Sequence, residues 1–361
     1  MKKISIILIV MFIFMVAGCV TIEQDKTDLI RDISFSPDGK KLLFNRDKGG
    51  QMMFQMYNLN TGELIAYASP AGERWDNPQY SFDGKYIAFV SFPLENNYIV
   101  PDKSQIAIMD EDGKNVRKIT NTPGYKTNPS FSHSGKKIIF ARSDMLKDRP
   151  QLAIEWAVYE VDVKTGRETC LTQFKFVSMS GPYYFPDDKT FIFWGDCLSG
   201  YAGPYDFYKI EKIRKELQSK YQKNQIYVMQ GNEKELKPYI VMPEYQKKFK
   251  MYVAGSEYSR QPSLSADGSV LIFAAQGYNP DGSADGGHLY QYSADGNHRN
   301  IIQHPATISD IAVSPNNKLL AAVEEPKEHH VNTIVIYRVS DGSIYKEITL
   351  PDRPSRIINT K

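Results

Sequence analysis

The chain has 361 residues, with 44 lysines and arginines against 42 aspartates and glutamates and a net charge of +2. That balance excludes the basic footprint of a nucleic-acid-binding protein, and 3 cysteines in such a length exclude a disulfide scaffold. The chain opens with Lys2-Lys3, an apolar run from Ile4 to Val16, and Ala17-Gly18-Cys19. A basic start, a short apolar core and small residues before a cut site describe an export signal. The run is too short for a comfortable transmembrane helix, which needs roughly 20 residues.

Val16-Ala17-Gly18-Cys19 resembles the lipobox of bacterial lipoproteins. The resemblance implies cleavage before Cys19 and acylation of its thiol, palmitate being one such chain, and of its new amino terminus. Several acyl chains would hold the protein stably at a membrane, where one would not. The expected organisation is a signal peptide over 1–18, a lipidated cysteine and short linker over 19–30, and a folded body over 31–361. Export permits a disulfide between Cys170 and Cys197, although two buried free thiols is the expected state.

The body is organised by one recurring hairpin. Ser36-Pro37-Asp38-Gly39 separates the apolar runs Ile33-Ser34-Phe35 and Leu42-Leu43-Phe44, a tight polar turn whose glycine is free to take positive φ. Equivalent turns begin at Ser81, Ser132, Phe185, Ser265 and Ser314, spaced 45, 51, 53, 80 and 49 residues apart. A period near 50 built from short strands is a propeller signature. The pattern predicts an all-β, six-bladed β-propeller with four antiparallel strands per blade. Seven blades is the alternative, because Ile357-Ile358-Asn359 suits either a seventh innermost strand or an edge of blade 1.

Blade 2 shows the pattern most plainly, with a third strand Gln105–Met109 turning at Asp110-Glu111-Asp112-Gly113 into Val116–Thr120. Blade 4 carries the long spacing, and its third strand is recognisable at Gln225–Met229. The extra residues, about 197–224, predict a helical insertion. Asp206 is placed to cap it, and Ile210, Ile213, Leu217 and Tyr221 give one apolar stripe on a basic helix. A smaller excess, Met242 to Ser259, lies before blade 5.

Repeats such as Pro78-Gln79-Tyr80-Ser81-Phe82-Asp83-Gly84-Lys85-Tyr86-Ile87-Ala88-Phe89, continuing to Ile106–Gly113 and Arg117–Thr120, resemble the WD-like repeats of the TolB family. The resemblance covers about Arg31 to Leu350 and implies the propeller fold more strongly than any activity. It stops short of TolB itself. TolB has a globular domain before its propeller, for which there is no room between Cys19 and Arg31, and it is soluble in the periplasm. TolB's particular partners are therefore not carried over.

Propeller connectivity separates two faces. The turns joining strands one to two and three to four share one face and are uniformly tight. The connections at Phe92–Ser104, Ser143–Glu155, Cys197–Asn224 and Gln276–His288 share the other and vary in length, which makes it the expected binding face. At the entrance to the innermost strands there, Asp32, Asn77, Asn128, Gln261 and Asp310 should ring the central channel. Water is the ordinary occupant of such a ring; a cation or a partner's side chain is the functional alternative. Beside it, Arg74-Trp75, Tyr125-Lys126 and Tyr258 with Arg260 pair aromatics with charge, which suits protein recognition. Packing between blades is an equal reading for Trp75.

Chemistry leaves fainter marks. His329-His330 are adjacent, and His288, His298 and His304 have no ligand spacing. Asn279–Gly286 lacks the closing glutamate of a calcium loop. No serine elbow or phosphate loop stands out, and no cofactor or metal is expected. The sequence reading is thus a lipid-anchored, extracytoplasmic, non-catalytic module of the cell envelope that binds a protein or polysaccharide. The alternative is a metal-assisted polysaccharide lyase or hydrolase at the channel, since propeller enzymes such as oligogalacturonate lyases assemble sites from scattered histidines.

Overall fold

A computed structural model describes residues 27–146, 149–172, 176, 178–196, 225–231, 237–238, 252–253, 262–278, 284–293, 297–304, 307–325 and 332–360. Six antiparallel sheets follow one another along the chain as six blades. Blade 1 comprises Asp28–Phe35, Lys41–Lys48, Gln51–Asn58 and Leu64–Ala68. Blade 2 comprises Glu73–Tyr80, Tyr86–Glu95, Gln105–Asp110 and Arg117–Lys118. Blade 3 runs from Tyr125 to Cys170, blade 4 from Ser178 to Pro238, blade 5 from Tyr252 to His304 and blade 6 from Thr307 to Ile348. In blade 4, Phe193 pairs with Tyr227, which places the third strand where the repeat predicts it. Blade 5 has two short strands, Tyr252–Val253 and Ser263–Leu264, on the same neighbour, so part of the excess before it joins its sheet.

Ring closure uses the carboxyl end. Arg356–Asn359 adds a fifth strand, parallel to Leu64–Ala68, on the outer edge of blade 1. Of the two sequence alternatives for Ile357-Ile358-Asn359, this is the edge of blade 1, and six blades is the count. Across the seam the Arg46 guanidinium donates to the Pro351 carbonyl at 2.8 Å, and Ile358 packs among the apolar side chains between blades 1 and 2.

The core is divided among the six blade interfaces. Leu42 and Phe44 pack toward blade 6 and Leu43 toward blade 2, because successive strand side chains point to opposite faces. A strand covered on both faces needs an unbroken apolar run, which is why Leu42-Leu43-Phe44 does not alternate. Truncating one of its fully buried rings, such as Phe44 or Phe89, costs about 3–5 kcal/mol.

The repeated turn is built by its serine. Ser81 Oγ donates to Asp83 Oδ1 at 2.7 Å and accepts from Tyr86 N at 3.0 Å, and Gly84 lies at φ 74. The same geometry recurs at Ser36, Ser265 and Ser314. The helical insertion expected over 197–224 lies outside the described residues, as do the export signal, Cys19 and Cys197. Among the described residues there is no α-helix and no helix long and apolar enough to cross a membrane. Cys170 is a free and exposed thiol, not the buried one expected, because the outer strand Glu168–Cys170 has only one neighbour.

Candidate functional site at the channel mouth

Each described innermost strand except the short one of blade 5 breaks register near its start. The breaks fall between Arg31 and Ser34, Asp76 and Gln79, Thr127 and Ser130, Ser180 and Tyr183, and Ile308 and Asp310. A bulge of this kind leaves a residue unpaired and turns its side chain. Asp32, Asn77 and Asn128 sit there at φ 58, 52 and 53, a backbone region that aspartate and asparagine tolerate. Pro78 and Pro129 follow, lacking an N–H where the ladder asks for none. A backbone requirement therefore selects these residues as well as any ligand.

The bulges bring Asp32, Asn77, Asn128 and Asp310 together around one small cavity, with Gln79 and Tyr183. The ring is stitched blade to blade. Ile33 N donates to Asp310 Oδ2 at 2.9 Å, Asn77 Nδ2 donates to Asp32 Oδ1 at 2.7 Å, and Asn128 N donates to Asn77 Oδ1 at 3.3 Å. The cavity volume is about 20 Å³, room for a water molecule but not for a sugar ring. Burial, reinforced by the Asp76 carboxylate, pushes the Asp32 carboxyl up to about 7. Burial and then Asp32 likewise hold Asp310 well above the usual carboxylate range. Tyr183 and Gln79 are the members that sequence reading missed. Gly181-Pro182, aligned with Asn77-Pro78 and Asn128-Pro129, was the signal that could have found Tyr183.

At the opposite end of the axis, side chains reach across the ring. The His133 ring stacks on Phe82 with centroids 3.7 Å apart, and its Nε2 lies 2.7 Å from the Ala266 carbonyl oxygen. That partner requires the proton on Nε2. Residues of blades 2, 3 and 5 thereby meet across the turn end.

The charged aromatic pairs divide. Trp75 is 3% exposed and lies 4.4 Å from Phe89 and 5.8 Å from Phe54, ring to ring. It is core between blades 1 and 2, with Nε1 donating to Glu73 at 3.0 Å. Lys126 corrects the sequence reading. Its side chain is wholly buried, and Nζ donates to the carbonyls of Ser104 at 2.9 Å and Thr122 at 2.5 Å. An ammonium held by backbone oxygens inside the fold is a structural clamp that no partner can reach. Arg74 and Tyr125 remain half-buried beside the mouth. Burial, then the Asp76 and Asp32 carboxylates, push the Tyr125 hydroxyl up to about 12. Tyr258, Arg260 and Gln261 lie outside the described residues.

Among the described residues, the variable connections of this face are largely β-structure. The second and third strands of blade 3 pair as far as Leu146 and Arg149, and those of blade 5 as far as Tyr278 and Ala284. In blade 2, Leu94 pairs with Ile99 and Tyr98 at the tip is 79% exposed. Among the described residues no group of three His, Cys, Asp or Glu side chains is arranged to hold a metal ion.

No family model matches the chain. The Tol-Pal system protein TolB of Rickettsia prowazekii (strain Madrid E) is 36% identical over 113 residues, 31% of this chain and 22% of that protein. TolB of Rickettsia bellii (strain OSU 85-389) is 30% identical over 147 residues, 41% of this chain and 30% of that protein. The similarity thus spans less than a third of either relative. Among solved structures, TolB from Acinetobacter baumannii superposes with a TM-score of 0.57 at 17% identity, covering 95% of this chain and 68% of that one. An oligogalacturonate lyase in complex with manganese gives 0.54 at 14% identity, covering 86% and 74%. Identities this low carry the fold and no activity: the chain is a TolB-like six-bladed β-propeller.

Proposed function

We propose that this propeller is a non-catalytic binding module of the bacterial cell envelope, docking a protein partner on the face where the channel opens. The observation that carries the reading is the asymmetry of the axis. One end is crossed by the contacts of His133 with Phe82 and the Ala266 carbonyl, while the other presents a polar ring and projecting hairpins. A rigid scaffold with projecting, exposed tips suits recognition, and a cavity of about 20 Å³ suits a side chain or water better than a saccharide. The anchoring part of the proposal rests on the sequence. Val16-Ala17-Gly18-Cys19 supports lipidation at Cys19, with the propeller facing the periplasm or the exterior. The Tol-Pal system, in which the similar proteins are named, makes envelope assemblies the first place to seek the partner.

Cross-linking in intact host cells, followed by pull-down and mass spectrometry, tests this. A variant lacking 197–224, the stretch read as a basic helix, is the comparison, after its cooperative unfolding has been verified. A discrete envelope partner captured by the full chain and weakened in the variant is the expected result. A folded, abundant propeller that captures nothing overturns the reading. Loss of palmitate labelling and of membrane association in Cys19→Ser tests the anchor separately.

A further inference from the structure

Between blades 1 and 2, just outside the channel ring, two arginines converge on one sulfur. Arg31 Nη2 lies 3.4 Å from Met52 Sδ and Arg74 Nη2 lies 3.5 Å from the same atom. A thioether is a weak acceptor and neutralises neither charge. Arg74 reaches Asp76 at 3.3 Å, whereas Arg31 has no ion pair among the described residues. The Nε atoms of both arginines are buried without a hydrogen-bond partner.

The surroundings are unsatisfied as well. Asn45 is wholly buried and its amide nitrogen donates to Asp32 and Asp76, yet its Oδ1 has no partner. Asp47 Oδ1, on the same side of the blade, has none either. Buried polar atoms are ordinarily paired, and two open guanidinium Nε donors beside one another are bonding capacity that a carboxylate can meet.

We propose that Arg31 and Arg74 form a clamp for a carboxylate, supplied by an acidic side chain of an extended segment of the docked partner. The proposal rests on the protein-binding reading above and names the chemistry it recognises. Two guanidinium groups touching one atom can both donate to one carboxylate, displacing the sulfur and gaining charge-assisted bonds. The neighbouring channel cavity, about 20 Å³ and lined by Asp32 and Asn77, has no room for a sugar ring, which favours a peptide over a uronic-acid polymer.

The test uses fluorescein-labelled hexaglutamate as probe, with hexaglutamine as control, and fluorescence anisotropy at low and physiological salt. Hexaglutamate should bind and hexaglutamine should not. Arg31→Gln and Arg74→Gln should each weaken binding about tenfold, while Lys85→Gln, on the opposite face, leaves it unchanged. In the wild-type protein, hexaglutamate should protect Arg31 and Arg74 from phenylglyoxal, read by mass spectrometry. Equal binding by wild type and both arginine variants, or no protection, overturns the clamp. Trigalacturonate that binds with the same arginine dependence while hexaglutamate does not overturns the peptide. In cells, capture of a partner by wild type that survives Arg31→Gln with Arg74→Gln sinks the clamp alone, whereas no capture by wild type sinks the docking reading beneath it.

Discussion

At the turn end of the axis most hydrogen bonds are local, with His133 Nδ1 and Asn317 Oδ1 left unpaired; at the hairpin end they are assembled from several blades. Ser81, Asp83 and Gly84 satisfy one another within a few residues, and the same arrangement recurs in neighbouring blades. Across the axis there, His133 reaches the Ala266 carbonyl and Phe82. At the hairpin end, Asp32 needs Asn45 from its own blade and Asn77 from the next, while Arg31, Arg74, Asn45 and Asp47 keep buried atoms unpaired. The contrast separates turns whose unpaired atoms lie apart in different blades from a surface where unmet bonding capacity gathers around two converging arginines. Unmet capacity is tolerated where a binding site needs it, since stability and function trade against each other.

The comparison predicts that the turn end resists substitution most. Gly342, in the outer turn of blade 6, lies at φ 72, and a Cβ there would press into the Ile301 carbonyl oxygen of blade 5. Gly342→Val combines left-handed strain with that clash and should cost about 3 kcal/mol or more. Urea unfolding measures it, and a loss below half of that would show that the turns slide more freely than their packing indicates.

Next in size is an effect of opposite sign at the hairpin end. Asp32 holds its proton to about pH 7 in the folded chain against an ordinary value of 3.8. Between those values the native state binds a proton that the unfolded chain has released, so stability falls as pH rises through this window. Asp32→Asn removes that dependence, keeps the left-handed backbone of Asn77 and Asn128, and matches a protonated aspartate in shape. It should stabilise the protein by about 2 kcal/mol at pH 8 and change little near pH 4. Thermal unfolding across that range checks it; parallel curves for variant and wild type would remove Asp32 as the titrating group.

The same contrast explains what was legible in the residues. The turns were readable because Ser-x-Asp-Gly, present at Ser36, Ser81 and Ser265 and varied at Ser132, Phe185 and Ser314, carries its own hydrogen bonds, and counting the motif with its variants counted the blades. Asp32, Asn77, Asn128 and Asp310 were readable as channel positions because each lies four residues before a turn serine. Lys126 was not. Its partners are the carbonyls of Ser104 and Thr122, brought beneath it by a short 3-10 turn at Pro101–Lys103, and no pattern around Tyr125-Lys126 encodes that approach. The arginine convergence was equally hidden, since Arg31, Met52 and Arg74 meet only when blades 1 and 2 pack. Where partners are sequence neighbours the chain announces them, and where they are neighbours of neighbours it does not.

Within the turns, Ser81→Ala should cost about 1 kcal/mol by removing the oxygen that accepts from Tyr86 N and freeing Asp83. Ser265→Ala should cost about the same, because the bonding is equivalent. A much larger cost at one blade than at the other would show that the turns are not interchangeable units, and urea midpoints for the two variants decide it.

The smallest stability effect should come from the residues with the most exposed function. Arg74 gives up only a sulfur contact and a 3.3 Å contact with Asp76, and its removal relieves the approach of two like charges at Met52. Arg74→Gln should therefore shift unfolding by no more than about 0.5 kcal/mol, in either direction. Arg31→Gln should behave alike, having no carboxylate to abandon. A loss near 2 kcal/mol, measured by urea unfolding, would mean that the arginines cement blade 1 to blade 2, and the unpaired atoms around them would then belong to the scaffold. A neutral result leaves two half-buried cationic groups that contribute nothing to folding, and a contact outside the chain becomes the physical reason for holding them together.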